Sequence, residues 1–207
     1  MPLRIACDLD GTLADMDAAL QREARALFGA NATTGALTDA QTRRLWSRIG
    51  EIENFWLTLD EVEPGAVGNL ASFAALYGWE VLFLTKRPAS AGEAVQRQSQ
   101  RWLEARGFAL PSVCVMHGSR GRLADALALD AVLDDRPDNC LDVVTDSEAR
   151  AFLVWRGDKA AIPPATPQLG IEPVASIAEA LAILQQMSAG ADRPLGLLDR
   201  VRAAFGL

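Results

Sequence analysis

Short runs of consecutive apolar residues recur along the chain, separated by segments with helical character. These runs lack polar alternation, which predicts strands of a parallel sheet that is covered on both faces. The predicted strands are residues 3–9, 79–85, 113–116, 131–133 and 149–155. The predicted helices, several with a proline near the first turn, are residues 64–78, 89–107, 121–129 and 137–147. The alternation predicts an α/β fold with a doubly wound, Rossmann-like parallel sheet.

One stretch departs from this alternation. Residues 16–63 have helical character without an intervening strand, and the predicted helices are residues 17–28 and 38–56. Either a small helical cap inserted after the first strand or ordinary helical decoration of the core would give this pattern. We favour the cap because of the residues that stand directly before it.

The pattern divides the chain into a core, a cap and a tail. The core comprises residues 1–15 and 64–187, the cap residues 16–63, and the tail residues 188–207. Within the tail, residues 195–207 predict a short amphipathic helix. It lacks the basic polar face of a membrane-surface helix, so we expect it to dock on the domain or on a second subunit. A monomer and a homodimer are both compatible with this pattern.

Composition and charge narrow the classes of partner. The chain has 20 Lys and Arg against 27 Asp and Glu, for a net charge of −7, and it shows no basic cluster of the kind that binds nucleic-acid polymers. No apolar run approaches the roughly 18 residues that span a bilayer. The first residues lead directly into a strand without the apolar region of a signal peptide. Cys7, Cys114 and Cys140 form no C-x-x-C pair, which suits a reducing compartment. We therefore expect a cytoplasmic protein with no membrane partner.

Two carboxylates follow the first predicted strand, in the segment Asp8-Leu9-Asp10-Gly11-Thr12. Residues two apart at the end of a strand lie on the same side, so both carboxylates can face one pocket. Two like charges this close need a cation between them, and carboxylates with oxygen-rich neighbours suit Mg²⁺. For the short motif alone, a surface turn before a glycine is an alternative interpretation.

The next three predicted strands also end in polar groups that could bind an anion or a metal. Thr85 ends the second strand, Arg120 opens the helix after the third, and Asp134-Asp135 ends the fourth. In open α/β sheets, ligands bind at the carboxyl ends of the strands. The ordered set of an acid pair, a hydroxyl, a cation and a second acid pair therefore predicts a site at one edge of the sheet.

With these motifs the chain resembles the phosphatase branch of the haloacid dehalogenase superfamily, over residues 3–155. Asp8-Leu9-Asp10-Gly11-Thr12 is similar to its first motif, Thr85 to its second, Arg120 to its third and Asp134-Asp135 to its fourth. The predicted cap has the position of the superfamily's type 1 caps. Softer similarities to the 5′(3′)-deoxyribonucleotidase group lie in Phe55-Trp56-Leu57-Thr58-Leu59, Pro64-Gly65-Ala66 and Gln100-Arg101-Trp102-Leu103.

The resemblance implies a Mg²⁺-dependent phosphohydrolase acting on a small phosphorylated metabolite, nucleoside monophosphates included. Asp8 would be the nucleophile and Asp10 the general acid and base. Asp8, the backbone carbonyl of Asp10 and Asp134 would hold Mg²⁺, with Asp135 supporting that shell through water. Thr85 would donate to the phosphoryl oxygens, and Arg120 would neutralise their charge.

Arg120 departs from the family pattern, which usually has lysine at this position. Lys86 and Arg122 are nearby alternatives for the cation. A phosphoryl-transfer mutase and a phosphate-binding protein without turnover stay open as other functions. Dehalogenase chemistry is disfavoured, because carbon–halogen cleavage needs no acid such as Asp10.

Several further residues have two possible roles in the sequence. His117, the only histidine, is expected to line the pocket or contact substrate rather than to act in catalysis. Asp138 could support the metal site or place a negative charge at a helix N-terminus. The aromatic residues of the cap could stack on a nucleobase or pack in the core, and these are Trp46, Phe55 and Trp56.

Overall fold

One six-stranded parallel sheet organises the chain in the computed structural model, which describes residues 2–164 and 166–191. The strand order is β3-β2-β1-β4-β5-β6, and every adjacent pair is parallel. The strands are β1 (Arg4–Asp8), β2 (Glu80–Thr85), β3 (Ser112–Val115), β4 (Ala131–Asp134), β5 (Arg150–Val154) and β6 (Ile171–Val174). The predicted Rossmann-like α/β fold is confirmed.

Seven α-helices accompany these strands in the described residues. They are α1 (Met16–Phe28), α2 (Asp39–Glu51), α3 (Ala66–Tyr77), α4 (Val95–Glu104), α5 (Arg120–Ala126), α6 (Pro137–Asp146) and α7 (Ile177–Ala191). None of the helices in this part of the chain is both long enough and apolar enough to cross a membrane.

The sheet is buried on both faces, as the continuous apolar runs predicted. Alternate strand residues contribute to two separate hydrophobic clusters: Ile5 and Phe83 belong to one, and Ala6 and Leu84 to the other. The first cluster also includes residues of α1, α2, α3, α4 and α7, and the second includes residues of α5 and α6. Burial of this kind fixes the register of each strand and therefore the position of the residue that ends it.

The segment between β1 and α3 contains helices and no strand of the sheet, as expected. A capping box of Thr38 and Gln41 begins α2. The predicted helix over residues 38–56 is wrong beyond Glu51: the backbone turns at Asn54, which has a left-handed φ of 51°, and Phe55–Leu57 forms a separate 3₁₀ turn. The division into core and cap stays a prediction.

The sheet has one strand that the sequence pattern did not predict. Strand β6 contains Pro173 and lies at the edge of the sheet, where a missing backbone donor is tolerated. Helix α7 then returns to the sheet and continues to Ala191. The indole of Trp79 donates to the hydroxyl of Ser188 in this helix at 2.7 Å. The predicted helix over residues 195–207 lies outside the described residues.

Candidate active site

The predicted site residues meet at the carboxyl edge of the sheet. Asp8 ends β1, Thr85 ends β2 and Asp134 ends β4, and β1 pairs with both of the other strands. Asp8, Asp10 and Arg120 line one cavity of about 240 Å³. The edge of the sheet that the sequence indicated is therefore the place where these groups come together.

Three carboxylates form a cluster at this edge. Asp8, Asp134 and Asp135 each place one oxygen within 4.8 Å of the others. Burial raises the pKa of Asp8 and Asp134, and the charge of Asp134 raises that of Asp8 further. Burial and the neighbouring Asp134 raise the pKa of Asp135 to about 6. A hard divalent cation would relieve this repulsion, and a set of carboxylate oxygens fits Mg²⁺.

Two groups that the sequence did not single out donate hydrogen bonds to this cluster. The side-chain amide of Asn139 donates to both oxygens of Asp134, at 2.9 and 3.0 Å, and the backbone N–H of Arg136 donates to one of them at 2.9 Å. Asp138 is exposed in the first turn of α6, where its charge suits the helix N-terminus. Asn139 therefore has the supporting position that we had considered for Asp138.

The loop after β1 leaves room for Asp135. Gly11 has a φ of +88°, and a Cβ atom at this position would lie 2.3 Å from Oδ2 of Asp135. The hydroxyl of Thr12 donates to Oδ1 of Asp135 at 3.2 Å. Arg156, another residue that the sequence did not indicate, donates to the carbonyls of Gly11 and Thr12 at 2.8 Å each. Glycine is needed here for both its conformation and its missing side chain.

Arg120 lies between the carboxylates and is only 3% exposed. Its Nη2 atom donates to Asp8, and its Nε atom lies 2.8 Å from Oδ2 of Asp134. Its Nη1 atom is buried and has no hydrogen-bond partner within residues 2–164 and 166–191. Of the three cations considered, Arg120 contacts the cluster, while Lys86 lies exposed at the cavity and Arg122 is 84% exposed beside Asp146.

The carboxylate of Asp142 fixes the start of α5 and thereby the position of Arg120. It accepts the backbone N–H of Arg120 at 2.6 Å and that of Gly121 at 3.2 Å, together with the hydroxyl of Ser119 at 2.9 Å. Burial would raise the pKa of Asp142, but these hydrogen bonds outweigh it and hold the pKa below its ordinary value. A Cβ on Gly121 would lie 2.1 Å from the Asp142 carbonyl, so α5 and α6 meet closely.

Asp10 has a different cation. Arg87 donates through Nε to both Asp10 oxygens, at 2.9 and 3.0 Å, and through Nη2 to Oδ1 at 2.7 Å. The hydroxyl of Thr85, which we expected to donate to a phosphoryl group, donates to Oδ2 of Asp10 at 3.0 Å. Sequence reasoning missed Arg87; its one signal was its place two residues after the end of β2.

The aromatic residues of the inserted segment have separate positions. Trp46 is half-buried and lines the cavity. Trp56 also lines it but is fully buried, with its ring 4.9 Å from the Arg87 guanidinium carbon and its indole donating to the Pro88 carbonyl at 3.1 Å. Phe55 is buried against Trp56 and belongs to the core. His117 is exposed and does not line the cavity, contrary to our expectation.

The three cysteines are free, and none of them lines the cavity. Cys7 and Cys140 are buried, and Cys114 is half-buried. Burial raises the pKa of the Cys7 and Cys140 thiols well above their usual value, which keeps both protonated.

Solved structures share this fold. A predicted phosphatase from Clostridium acetobutylicum matches with a TM-score of 0.62 and 11% identity, over 90% of this chain and 99% of that one. A haloacid dehalogenase family hydrolase from Deinococcus radiodurans, with bound phosphate and sodium, matches with a TM-score of 0.59 and 16% identity, over 89% of this chain and 97% of that one. A dehalogenase with an intermediate complex matches with a TM-score of 0.55 and 16% identity, over 88% and 96%.

At this level of identity the comparisons show that the chain shares the fold of these proteins, and they show no more than the fold. No protein-family model matches the sequence, and no curated protein matches it either.

Proposed function

We propose that this chain is a Mg²⁺-dependent phosphohydrolase that cleaves a small phosphomonoester through an aspartyl-phosphate on Asp8. The observation that carries the proposal is the cluster of Asp8, Asp134 and Asp135 around Arg120, whose buried Nη1 atom has no acceptor in the part of the chain that the structure describes. A phosphoryl oxygen is a suitable acceptor for that N–H. The shared hydrolase fold agrees with this chemistry without identifying the reaction.

The reaction consists of two displacements at phosphorus. In the first, an oxygen of Asp8 bonds to phosphorus, the bond to the leaving oxygen breaks, and Asp10 gives that oxygen a proton. In the second, a water oxygen bonds to phosphorus, Asp10 takes the water proton, and the bond to Asp8 breaks. The products are the alcohol and inorganic phosphate, and both aspartates return to their initial state.

The surrounding residues supply charge and geometry for these steps. Held by Asp8, Asp134 and the Asp10 carbonyl, with Asp135 supporting the shell through water, Mg²⁺ would supply positive charge beside the phosphoryl oxygens. Arg120 adds a guanidinium that can donate to two oxygens at once. Asn139 keeps Asp134 oriented, and Thr85 orients Asp10 in the free protein. On substrate binding the Thr85 hydroxyl would turn to the phosphoryl group.

The inserted segment is the part of the chain that we assign to substrate choice. In the resemblance to the superfamily it corresponds to a type 1 cap, and Trp46 lines the cavity. The face of an indole can stack on a nucleobase. We therefore propose nucleoside monophosphates as the first substrate class to examine, in keeping with the resemblance to 5′(3′)-deoxyribonucleotidases.

One observation favours a second candidate, a phosphate-binding protein without turnover. Arg120 pairs with both Asp8 and Asp134 and offsets part of their negative charge, and its Nη1 N–H could bind an anion without turnover. Phosphate release separates the two functions. The proposed enzyme releases phosphate from p-nitrophenyl phosphate with Mg²⁺ and loses the activity in EDTA, whereas the binding protein releases none under any condition.

Variants at the two central aspartates test the assignment of roles. Asp8→Asn removes the nucleophile and is expected to abolish both turnover and phosphorylation of the protein. Asp10→Asn is expected to form the aspartyl-phosphate from p-nitrophenyl phosphate but to hydrolyse it slowly, so the intact mass should show the added phosphoryl group. Asp138→Asn, an exposed carboxylate near the site, is the control. Equal phosphorylation of the Asp8→Asn and parent proteins would refute the proposed nucleophile.

A further inference from the structure

The carboxylate of Asp10 is held in one orientation by an unusually complete set of donors. Arg87 contacts both oxygens and Thr85 contacts one of them, so Asp10 accepts three N–H contacts and one O–H contact. A two-contact pairing of a guanidinium with a carboxylate fixes direction as well as distance. The orientation of Asp10 in the cavity therefore depends chiefly on Arg87.

Arg87 is itself fixed by three parts of the chain. It is 2% exposed, and its Nη1 atom donates to the hydroxyl of Ser99 in α4 at 2.9 Å. The ring of Trp56 packs against its guanidinium, and its backbone N–H donates to the Thr85 hydroxyl at 3.2 Å. Burying a guanidinium is costly unless it is paired and hydrogen-bonded, and Arg87 meets both conditions.

These contacts also weigh against Arg87 as a direct ligand of the substrate. Each of its three side-chain nitrogens already donates to a protein oxygen. Nη1 and Nη2 each keep a second N–H, but these belong to a guanidinium that is only 2% exposed and is oriented by Asp10 and Ser99. Arg120, by contrast, lines the cavity with an Nη1 atom that has no hydrogen-bond partner among the described residues, and the exposed Lys86 lines it as well.

We propose that Arg87 is a positioning residue that holds Asp10 in the geometry for proton transfer, with Ser99 and Trp56 as its supports. The proposal rests on the proposed phosphohydrolase function and extends it to a residue outside the four motifs. Trp56 belongs to the inserted segment, so this segment contributes to proton transfer as well as to substrate choice. Loss of Arg87 should impair the steps that need Asp10 and spare the attack by Asp8.

The leaving group separates these steps experimentally. p-Nitrophenolate leaves without protonation, whereas the alkoxide of an alkyl phosphate needs a proton from Asp10. With Arg87→Gln, rapid mixing with p-nitrophenyl phosphate should show a burst of nitrophenolate at a rate within about tenfold of the parent, followed by slow turnover. Steady-state hydrolysis of an alkyl phosphate should fall by about 10² or more, the usual contribution of a positioned acid or base.

Arg106→Gln is the matched control, because Arg106 also stacks on a tryptophan near the inserted segment without touching Asp10. Its guanidinium carbon lies 4.0 Å from the Trp102 ring, and it donates to the backbone carbonyls of Trp102 and Leu59. The control should lose stability without the change in leaving-group dependence. Arg87→Lys keeps the charge but not the two-contact geometry, so it should fold and regain part of the alkyl phosphate activity.

A double variant shows whether Arg87 acts through Asp10. If it does, Asp10→Asn with Arg87→Gln should be no slower than Asp10→Asn alone. A further loss in the double variant, or a rise in KM with unchanged kcat, would overturn the proposal and assign Arg87 to substrate binding. An Arg87→Gln protein that behaves like Arg106→Gln would also overturn it. A parent protein that hydrolyses no phosphomonoester would instead refute the proposed function on which it rests.

Discussion

Replacement of Arg120 by methionine should destabilise the metal-free protein strongly. Methionine keeps most of the buried volume but leaves the carboxylates of Asp8 and Asp134 without their cation. Removing one partner of a buried ion pair costs about 3–5 kcal/mol of unfolding free energy. Arg120 also lowers the pKa of both aspartates, so its loss raises their pKa further and the penalty should shrink at acidic pH.

Mg²⁺ should recover part of this loss, because a bound cation takes over the neutralising role. A ligand present at 100 times its Kd stabilises the folded state by about 2.7 kcal/mol. In the parent protein Arg120 already offsets part of the negative charge, so Mg²⁺ should bind it less tightly and stabilise it less. The difference between the unfolding free energies of the variant and the parent should therefore be larger in EDTA than in Mg²⁺.

Urea unfolding at pH 7.5, in EDTA and in millimolar Mg²⁺, measures both quantities. Arg122→Met is the control, since Arg122 is exposed and its surface pair with Asp146 should contribute about 0–1 kcal/mol. If Arg120→Met unfolds in EDTA at the same urea concentration as the control, the ion pairs do not stabilise the protein. If Mg²⁺ restores nothing, the carboxylate cluster is not a metal site.

Three further predictions concern the metal loop, the pH dependence and the aromatic residues. Gly11→Ala should displace Asp135 and thereby weaken Mg²⁺ binding measured by calorimetry. The control is Gly65→Ala, at a similar φ of +84° but with open space around the new Cβ, which should only lower the free energy of unfolding by about 1–3 kcal/mol of backbone strain. The pKa of Asp135 is about 6 in the folded protein and about 4 in the unfolded chain. Between these two pH values the metal-free protein should lose stability as pH rises, because the folded state binds the proton of Asp135 more tightly. Asp135→Asn should remove that part of the pH dependence in thermal melts, and a parent-like slope would refute the assignment. Trp46→Ala should raise KM for nucleotides, whereas Phe55→Ala should lower the free energy of unfolding by about 3–5 kcal/mol and leave KM unchanged. The reverse result would assign substrate contact to Phe55 and core packing to Trp46.

The position of the site could be predicted from the sequence because strand ends are a topological property. Apolar runs without alternation predicted a parallel sheet, and the carboxyl ends of its neighbouring strands share one edge. Asp8, Thr85 and Asp134 each end such a run and meet at that edge. The succession of strands along the chain was sufficient for this prediction, which needed no side-chain contacts.

Other features depend on details that a hydrophobic pattern does not carry. The short strand β6 contains a proline, which argues against a central strand and is tolerated only because β6 lies at the edge. The predicted helix over residues 89–107 begins only at Val95, so a loop separates Arg87 from α4. The partners of Arg87 come from three distant parts of the sequence, namely Asp10, Trp56 and Ser99. Local spacing contains no information about such a meeting.

The two carboxylates after β1 were expected to share one pocket, and both line the same cavity in different surroundings, which fits the separate roles that we propose for them. Asp8 is buried beside Arg120 and the carboxylates of Asp134 and Asp135, whereas Asp10 is partly exposed and paired with Arg87. A nucleophile beside a metal must remain ionised, while a proton donor and acceptor must change state in each half of the reaction. If one cation paired with both carboxylates, any shift in its position would change the pairing of Asp8 and of Asp10 together. Separate arginines, held by α5 for Asp8 and by α4 and Trp56 for Asp10, orient the two carboxylates separately.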